Sequence, residues 1–105
     1  MTASIVYITA SNQQEARRIG RILVEERLVA CVNILGNISS MYWWDGSLQE
    51  DSETVLIAKT RHESVERVIE RVKSLHSYEC PCVVSWPIDQ ANSQYLEWIA
   101  AETQD

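Results

Sequence analysis

Short apolar runs alternate along the chain with stretches whose apolar positions recur every three or four residues, and each change of period marks a new element. Ser4 to Ala10 reads Ser-Ile-Val-Tyr-Ile-Thr-Ala; its β-branched and aromatic side chains predict a buried strand. Asn12 followed by Glu15 has the spacing of a capping box. The helix it opens carries Ala16, Ile19, Ile22 and Leu23 on one stripe, turns Arg17, Arg18, Arg21 and Glu25 to water, and runs to about Leu28.

Ala30 to Trp44 is extended: Val32 and Ile34 alternate with Cys31, Asn33 and Leu35, and Gly36 interrupts them where a bulge fits. Beyond it Ile38, Tyr42 and Trp44 point one way, Met41 and Trp43 the other. Asp45-Gly46 follows, a two-residue hairpin signal because both positions tolerate positive φ. Ser47 to Thr60 is the returning strand, polar first and then Val55-Leu56-Ile57-Ala58. Thr60 and Glu63 repeat the capping-box spacing, and Val65, Val68, Ile69, Val72 and Leu75 predict a helix ending near His76 or Ser77. Cys82 to Trp86 is a short strand closed by Pro87, and Leu96, Ile99, Ala100 and Thr103 mark a last helix over about Ser93–Thr103.

The order is βαββαβ plus a C-terminal helix, in one domain spanning 1–105. Two split βαβ units of this kind predict an α+β, ferredoxin-like antiparallel sheet with both main helices on one face. The hairpin at Asp45-Gly46 is too long for so small a sheet. Each arm has about a dozen residues, roughly 40 Å of strand, against a usual strand of about 5–6 residues. Its end carries Met41, Tyr42, Trp43 and Trp44, which are costly to leave in water. Exposed strand edges and tip aromatics predict an oligomer.

Composition narrows the function. Hydrophobic residues make up 46% and charged residues 23% of the 105, the balance of a globular chain. No window nears the ~18–20 apolar residues of a membrane span, and no basic patch followed by an apolar run opens the chain, so no leader is read and the cytoplasm is the expected address. The net charge is −6. All basic residues lie between Arg17 and Arg27 or between Lys59 and Lys73, with none from Leu28 to Ala58. Phosphate backbones need clustered Lys and Arg, so nucleic acid is not an expected partner. Cys31, Cys80 and Cys82 are an odd set, which points to reduced thiols.

The fold class hosts many activities, so the sites must decide. The third strand lacks the Lys/Arg-Gly-Phe/Tyr signature of RNA-recognition domains, and the first loop lacks the paired cysteines of copper chaperones. The densest chemistry is His76-Ser77-Tyr78-Glu79-Cys80-Pro81-Cys82. His76, Cys80 and Cys82 suit Cu(I), Cu(II) or Zn(II), none of them essential to the fold. The competing reading makes Cys82 a core residue, His76 a helix terminus and Cys80 a loop thiol. Cys31 with His76 is not a catalytic pair that spacing supports, and no catalytic residue is assigned. Tyr42, Trp43 and Trp44 fit either subunit contact or a ligand cleft. Lys59 has three open roles: a partner for Glu53, a partner for Glu79, or an anion site.

The chain resembles the divalent-cation tolerance protein CutA family. The resemblance is carried by Ala30-Cys31-Val32-Asn33-Ile34, Tyr42-Trp43-Trp44-Asp45-Gly46, Glu53, Lys59-Thr60, Leu75-His76-Ser77-Tyr78-Glu79-Cys80-Pro81 and Tyr95-Leu96-Glu97-Trp98-Ile99. It implies a ferredoxin-like homotrimer with hairpins paired across subunits, tolerance of copper and other divalent metals, and kinship with trimeric PII-type signalling proteins. Positions it links to metal ligation hold Thr9, Leu75 and Cys82 here. The function expected is a cytoplasmic, non-catalytic, copper-binding trimer. The alternative is a PII-like module with a small ligand or partner in the cleft between subunits, lined by Tyr42, Trp44, Lys59, His76 and Glu79; Cys31, Tyr42, Trp43, Trp44, Lys59, Tyr78 and Glu79 are the residues expected in that cleft or at the trimer contact.

Overall fold

The computed structural model describes residues 1–103. Its elements are β1 (Ala3–Ala10), α1 (Gln13–Glu25), β2 (Cys31–Trp44), β3 (Ser47–Arg61), α2 (Val65–Leu75), β4 (Val83–Pro87) and α3 (Ser93–Glu102), with a 3₁₀ turn at His62–Ser64. The strands form one antiparallel sheet in the order β2-β3-β1-β4, the ferredoxin-like arrangement. Among the described residues no helix is long and apolar enough to cross a membrane.

Strand alternation sorts the sheet into two unlike faces. Val6, Ile8 and Ala10 of β1 and Leu56 and Ala58 of β3 join Ala16, Ile19 and Leu23 of α1 and Val65, Val68 and Val72 of α2 in the main core. Each Leu or Ile buried there contributes about 1.5–3 kcal/mol. The opposite face is covered at one end by α3, where Ile99 packs on Ala3 and Ala30 with Ile88, Tyr95 and Leu96 around them. Arg61 ties α3 down, donating from Nε to Thr103 Oγ1 (3.1 Å) and from Nη2 to the Ala100 carbonyl (2.7 Å). Away from α3, Leu35, Val84 and Trp86 stand about half exposed. β1 pairing places Val84 opposite Tyr7 and Trp86 opposite Ile5, all on this second face.

The hairpin turns at Asp45 and Gly46 with φ of 52° and 79°, the type I′ backbone that their sequence favours. β1 pairs with β3 only as far as Thr54, so the Ser47–Glu53 arm and its partner extend beyond the sheet by roughly 23 Å. The radius of gyration, 14.2 Å, exceeds the ~13 Å of a compact chain this long for that reason. A bulge interrupts the β2–β3 ladder between Leu35 and Ile38, where Gly36 interrupts the pattern and Asn37 takes φ 56°.

Two helix boundaries differ from the sequence reading. α1 stops at Glu25 rather than near Leu28, because Arg27 adopts φ 58° and turns the chain out of the helix. Thr60 does not cap α2: it is still in β3, and its hydroxyl donates to the Leu28 carbonyl at 2.6 Å. α2 begins only after the 3₁₀ turn. The Asn12 cap holds, its Oδ1 accepting the Glu15 N–H at 2.8 Å.

Candidate functional site

Where the hairpin leaves the sheet, a cavity of about 780 Å³ opens between its root and the loop after α2. β1 contributes Tyr7 and Thr9, β2 contributes Ile38 to Tyr42 and Trp44, β3 contributes Glu53, and the loop contributes Tyr78, Glu79, Cys80 and Cys82. Glu53 pairs with Ile38 just past the bulge and is only 8% exposed. Tyr78 donates its hydroxyl to Glu53 Oε2 at 2.9 Å, and Tyr42 donates to Asp51 Oδ2 at 2.7 Å. Both phenols are held in their neutral form. Burial and then the Glu53 carboxylate push Tyr78 up, and the Asp51 hydrogen bond pushes Tyr42 up.

The loop is fixed by a buried histidine and a buried glutamate. His76 has a fully buried side chain and closes α2 through its N–H to the Val72 carbonyl, 2.9 Å. Its Nε2 lies 2.7 Å from the Thr9 carbonyl, and its Nδ1 accepts the Tyr78 N–H at 3.0 Å. A carbonyl can only accept, so the proton is assigned to Nε2 and the lone pair of Nδ1 is taken by Tyr78. Glu15 joins the α1 start to this loop: Oε1 accepts from Ser11 N–H and Oγ, Oε2 from Ser77 N–H at 2.8 Å. Burial alone would raise the Glu15 pKa, but these hydrogen bonds outweigh it and hold the group at about 2.

The geometry separates His76 from Cys80 and Cys82. Both imidazole nitrogens are spent on the backbone, leaving His76 without a lone pair for a metal. Among the described residues no group of three His, Cys, Asp or Glu side chains is placed to hold an ion. The two thiols do line one cavity, are free of disulfides and exposed, and are soft donors within it. Partial burial and then the charge of Glu53 push the Cys82 thiol up, against a smaller opposing hydrogen bond with Thr9. A metal must displace that proton before it binds.

The other predicted residues fall into separate places. Tyr42, Trp44, Tyr78 and Glu79 meet in the cavity. Trp43 does not: it is 75% exposed and faces Leu48 across the hairpin. Met41 lines the cavity, although alternation assigned it to Trp43's side. Cys31 and Lys59 sit under α3 instead. Lys59 Nζ donates to Asn33 Oδ1 at 2.9 Å, approaches Cys31 Sγ at 4.0 Å and lies 6.0 Å from the Tyr95 ring centre, so it is a partner of neither Glu53 nor Glu79. Tyr95 contacts Cys31 Sγ at 3.5 Å; that hydrogen bond and burial push its pKa up to about 12. Glu53, Tyr7 and Glu15 were missed as site residues. The available signal was Glu53 itself, an acidic residue two positions before the buried Val55 run.

A family model described as the CutA1 divalent ion tolerance protein matches residues 4–102. The divalent-cation tolerance protein CutA of Thermus thermophilus is 43% identical over 99 residues, 94% of this chain and 96% of that protein. The chloroplastic protein CutA 1 of Oryza sativa is 41% identical over 101 residues, 96% of this chain but only 57% of the longer rice protein. The crystal structure of CutA1 from Oryza sativa superposes with a TM-score of 0.96 at 39% identity, covering 100% of this chain and 96% of the other. The periplasmic divalent cation tolerance protein CutA from Archaeoglobus fulgidus gives a TM-score of 0.94 at 39% identity, covering 97% and 99%.

Proposed function

The chain belongs to the CutA1 divalent ion tolerance family, and from that premise we propose that it serves cation tolerance as a non-catalytic homotrimer that takes up copper as Cu(I) through Cys80 and Cys82. The observation that carries the copper assignment is that two free thiols, separated by Pro81, line the same cavity. Thiolate pairs suit a soft monovalent ion better than a hard divalent one. Because the Cys82 thiol is raised, uptake strengthens as pH rises through the thiol range.

The trimer is supported by the second face of the sheet. Leu35, Val84 and Trp86 on that face and Met41, Trp43, Trp44 and Leu48 on the hairpin are all exposed, large apolar side chains that burial against a partner subunit would take out of water. Three free thiols favour a reducing compartment, for which the cytoplasm is our assignment. Native mass spectrometry of the reduced protein, with and without Cu(I), is the test. A trimer gaining copper, with the gain lost in a Cys80→Ser/Cys82→Ser variant, is the expected result. A monomer refutes the assembly, and unchanged uptake in the variant refutes the thiol site.

A second reading rests on the cavity itself: a PII-like module holding a small molecule. At about 780 Å³ the cavity lies within the range of small-molecule sites. A nucleotide and small-anion screen by melting temperature tests it, since a ligand selective for the native state must stabilise that state.

A further inference from the structure

We infer that the cavity at the hairpin root is a site for a small alkylammonium ion, held by the Glu53 carboxylate and an aromatic wall. The inference rests on reading the cavity as a ligand site and requires no metal at the two thiols that also line it. Four aromatic side chains, Tyr7, Tyr42, Trp44 and Tyr78, line the space, and no Lys or Arg does. The stretch from Leu28 to Ala58 contributes four carboxylates, Asp45, Glu50, Asp51 and Glu53, and not one basic residue.

Glu53 is the anchor. It is 8% exposed, and among the described residues it has a hydrogen bond from Tyr78 but no ion pair with a basic side chain. A carboxylate this far from water without a countercharge attracts a cation. The chemistry of the walls decides which kind. An inorganic divalent ion needs several oxygen or nitrogen ligands converging on it, and among the described residues no such group of acidic or histidine side chains is assembled. An alkylammonium ion spreads its charge over methylene or methyl groups, so apolar and aromatic walls desolvate it favourably and the ring faces attract it. Anions are disfavoured by the same carboxylates.

The test uses the full-length protein, with choline and its uncharged isostere 3,3-dimethylbutan-1-ol as probes, measured by isothermal titration calorimetry. Saturable choline binding at least about tenfold tighter than the neutral isostere is expected. Glu53→Gln should cut the preference to below about threefold. Trp44→Leu, which keeps an apolar side chain at a half-exposed position, should weaken choline binding by about tenfold. Equal affinity for both probes, no saturable choline binding, or choline binding that survives Glu53→Gln and Trp44→Leu together overturns the assignment. A nucleotide that raises the melting temperature while choline does not bind overturns the cation assignment alone and keeps the cavity as a ligand site. Silence toward both probes and the screen removes both readings.

Discussion

The two faces of the sheet are built from neighbouring residues of the same strands, yet they do opposite work. On the helix-covered face Val6, Ile8, Ala10, Leu56 and Ala58 are wholly buried and pack with the apolar stripes of α1 and α2. On the other face, one residue along each strand, lie Tyr7 and Thr9 beside the cavity, Lys59 and Arg61 under α3, and half-exposed Leu35, Val84 and Trp86. The alternation of a strand lets one sequence maintain a closed core and an unfinished surface at once. Stability is concentrated on the first face and chemistry on the second.

Truncation on the closed face is the harshest way to break this contrast. Leu56→Ala should cost about 2–5 kcal/mol, read by urea unfolding, because the hole it leaves is surrounded by packed side chains on all sides. Next is the glutamate that joins the two helices to the cavity loop. The folded pKa of Glu15 is depressed from 4.5 to about 2, so its stabilisation is complete above pH 4.5 and is lost as pH falls toward 2. It amounts to about 3 kcal/mol at most. Glu15→Gln should be destabilised at neutral pH, where an amide N–H would face a donor, and should show a flatter acid limb in pH-dependent unfolding.

On the open face the expected effects shrink. Tyr78→Phe removes one hydrogen bond from Glu53 and should cost about 1 kcal/mol in chemical denaturation. Trp43→Ser should change the stability of the chain's own fold by no more than about 0.5 kcal/mol. A larger loss that scales with protein concentration would show that another copy covers the hairpin and that the open face is closed in the assembly.

What the sequence reveals follows the range of the interactions. The hairpin is legible because Asp45-Gly46 encodes its turn in two adjacent residues, and the bulge because Gly36 breaks a strict alternation. The helices are legible from their stripes. The Thr60–Glu63 spacing misleads because a cap needs the strand to have ended, and Thr60 is held in β3 by the Leu28 carbonyl, a partner 32 residues away. His76 likewise finds its partner far along the chain. Next to two cysteines it looks like a ligand, but its partner is the Thr9 carbonyl, 67 residues distant, and no local pattern announces a main-chain oxygen as a competitor. Glu53 is hidden for a complementary reason. Nothing local distinguishes a buried carboxylate from the exposed Glu50 and Asp51 beside it until Tyr78 arrives from another part of the chain.

The strand order has a consequence for synthesis on the ribosome. β1 is made first but lies inside the sheet, between β3 and β4, and its last partner residue is Pro87. At about 5–20 residues per second, roughly 4–17 s separate the appearance of β1 from that of β4. Throughout that interval Ile5, Val6, Tyr7 and Ile8 form an apolar strand with one or both edges unpaired, whereas the β2–β3 hairpin, joined by its two-residue turn, can close as soon as Arg61 is made. The nascent chain therefore exposes this apolar strand before its partners exist, and a chaperone acting during translation has a target there.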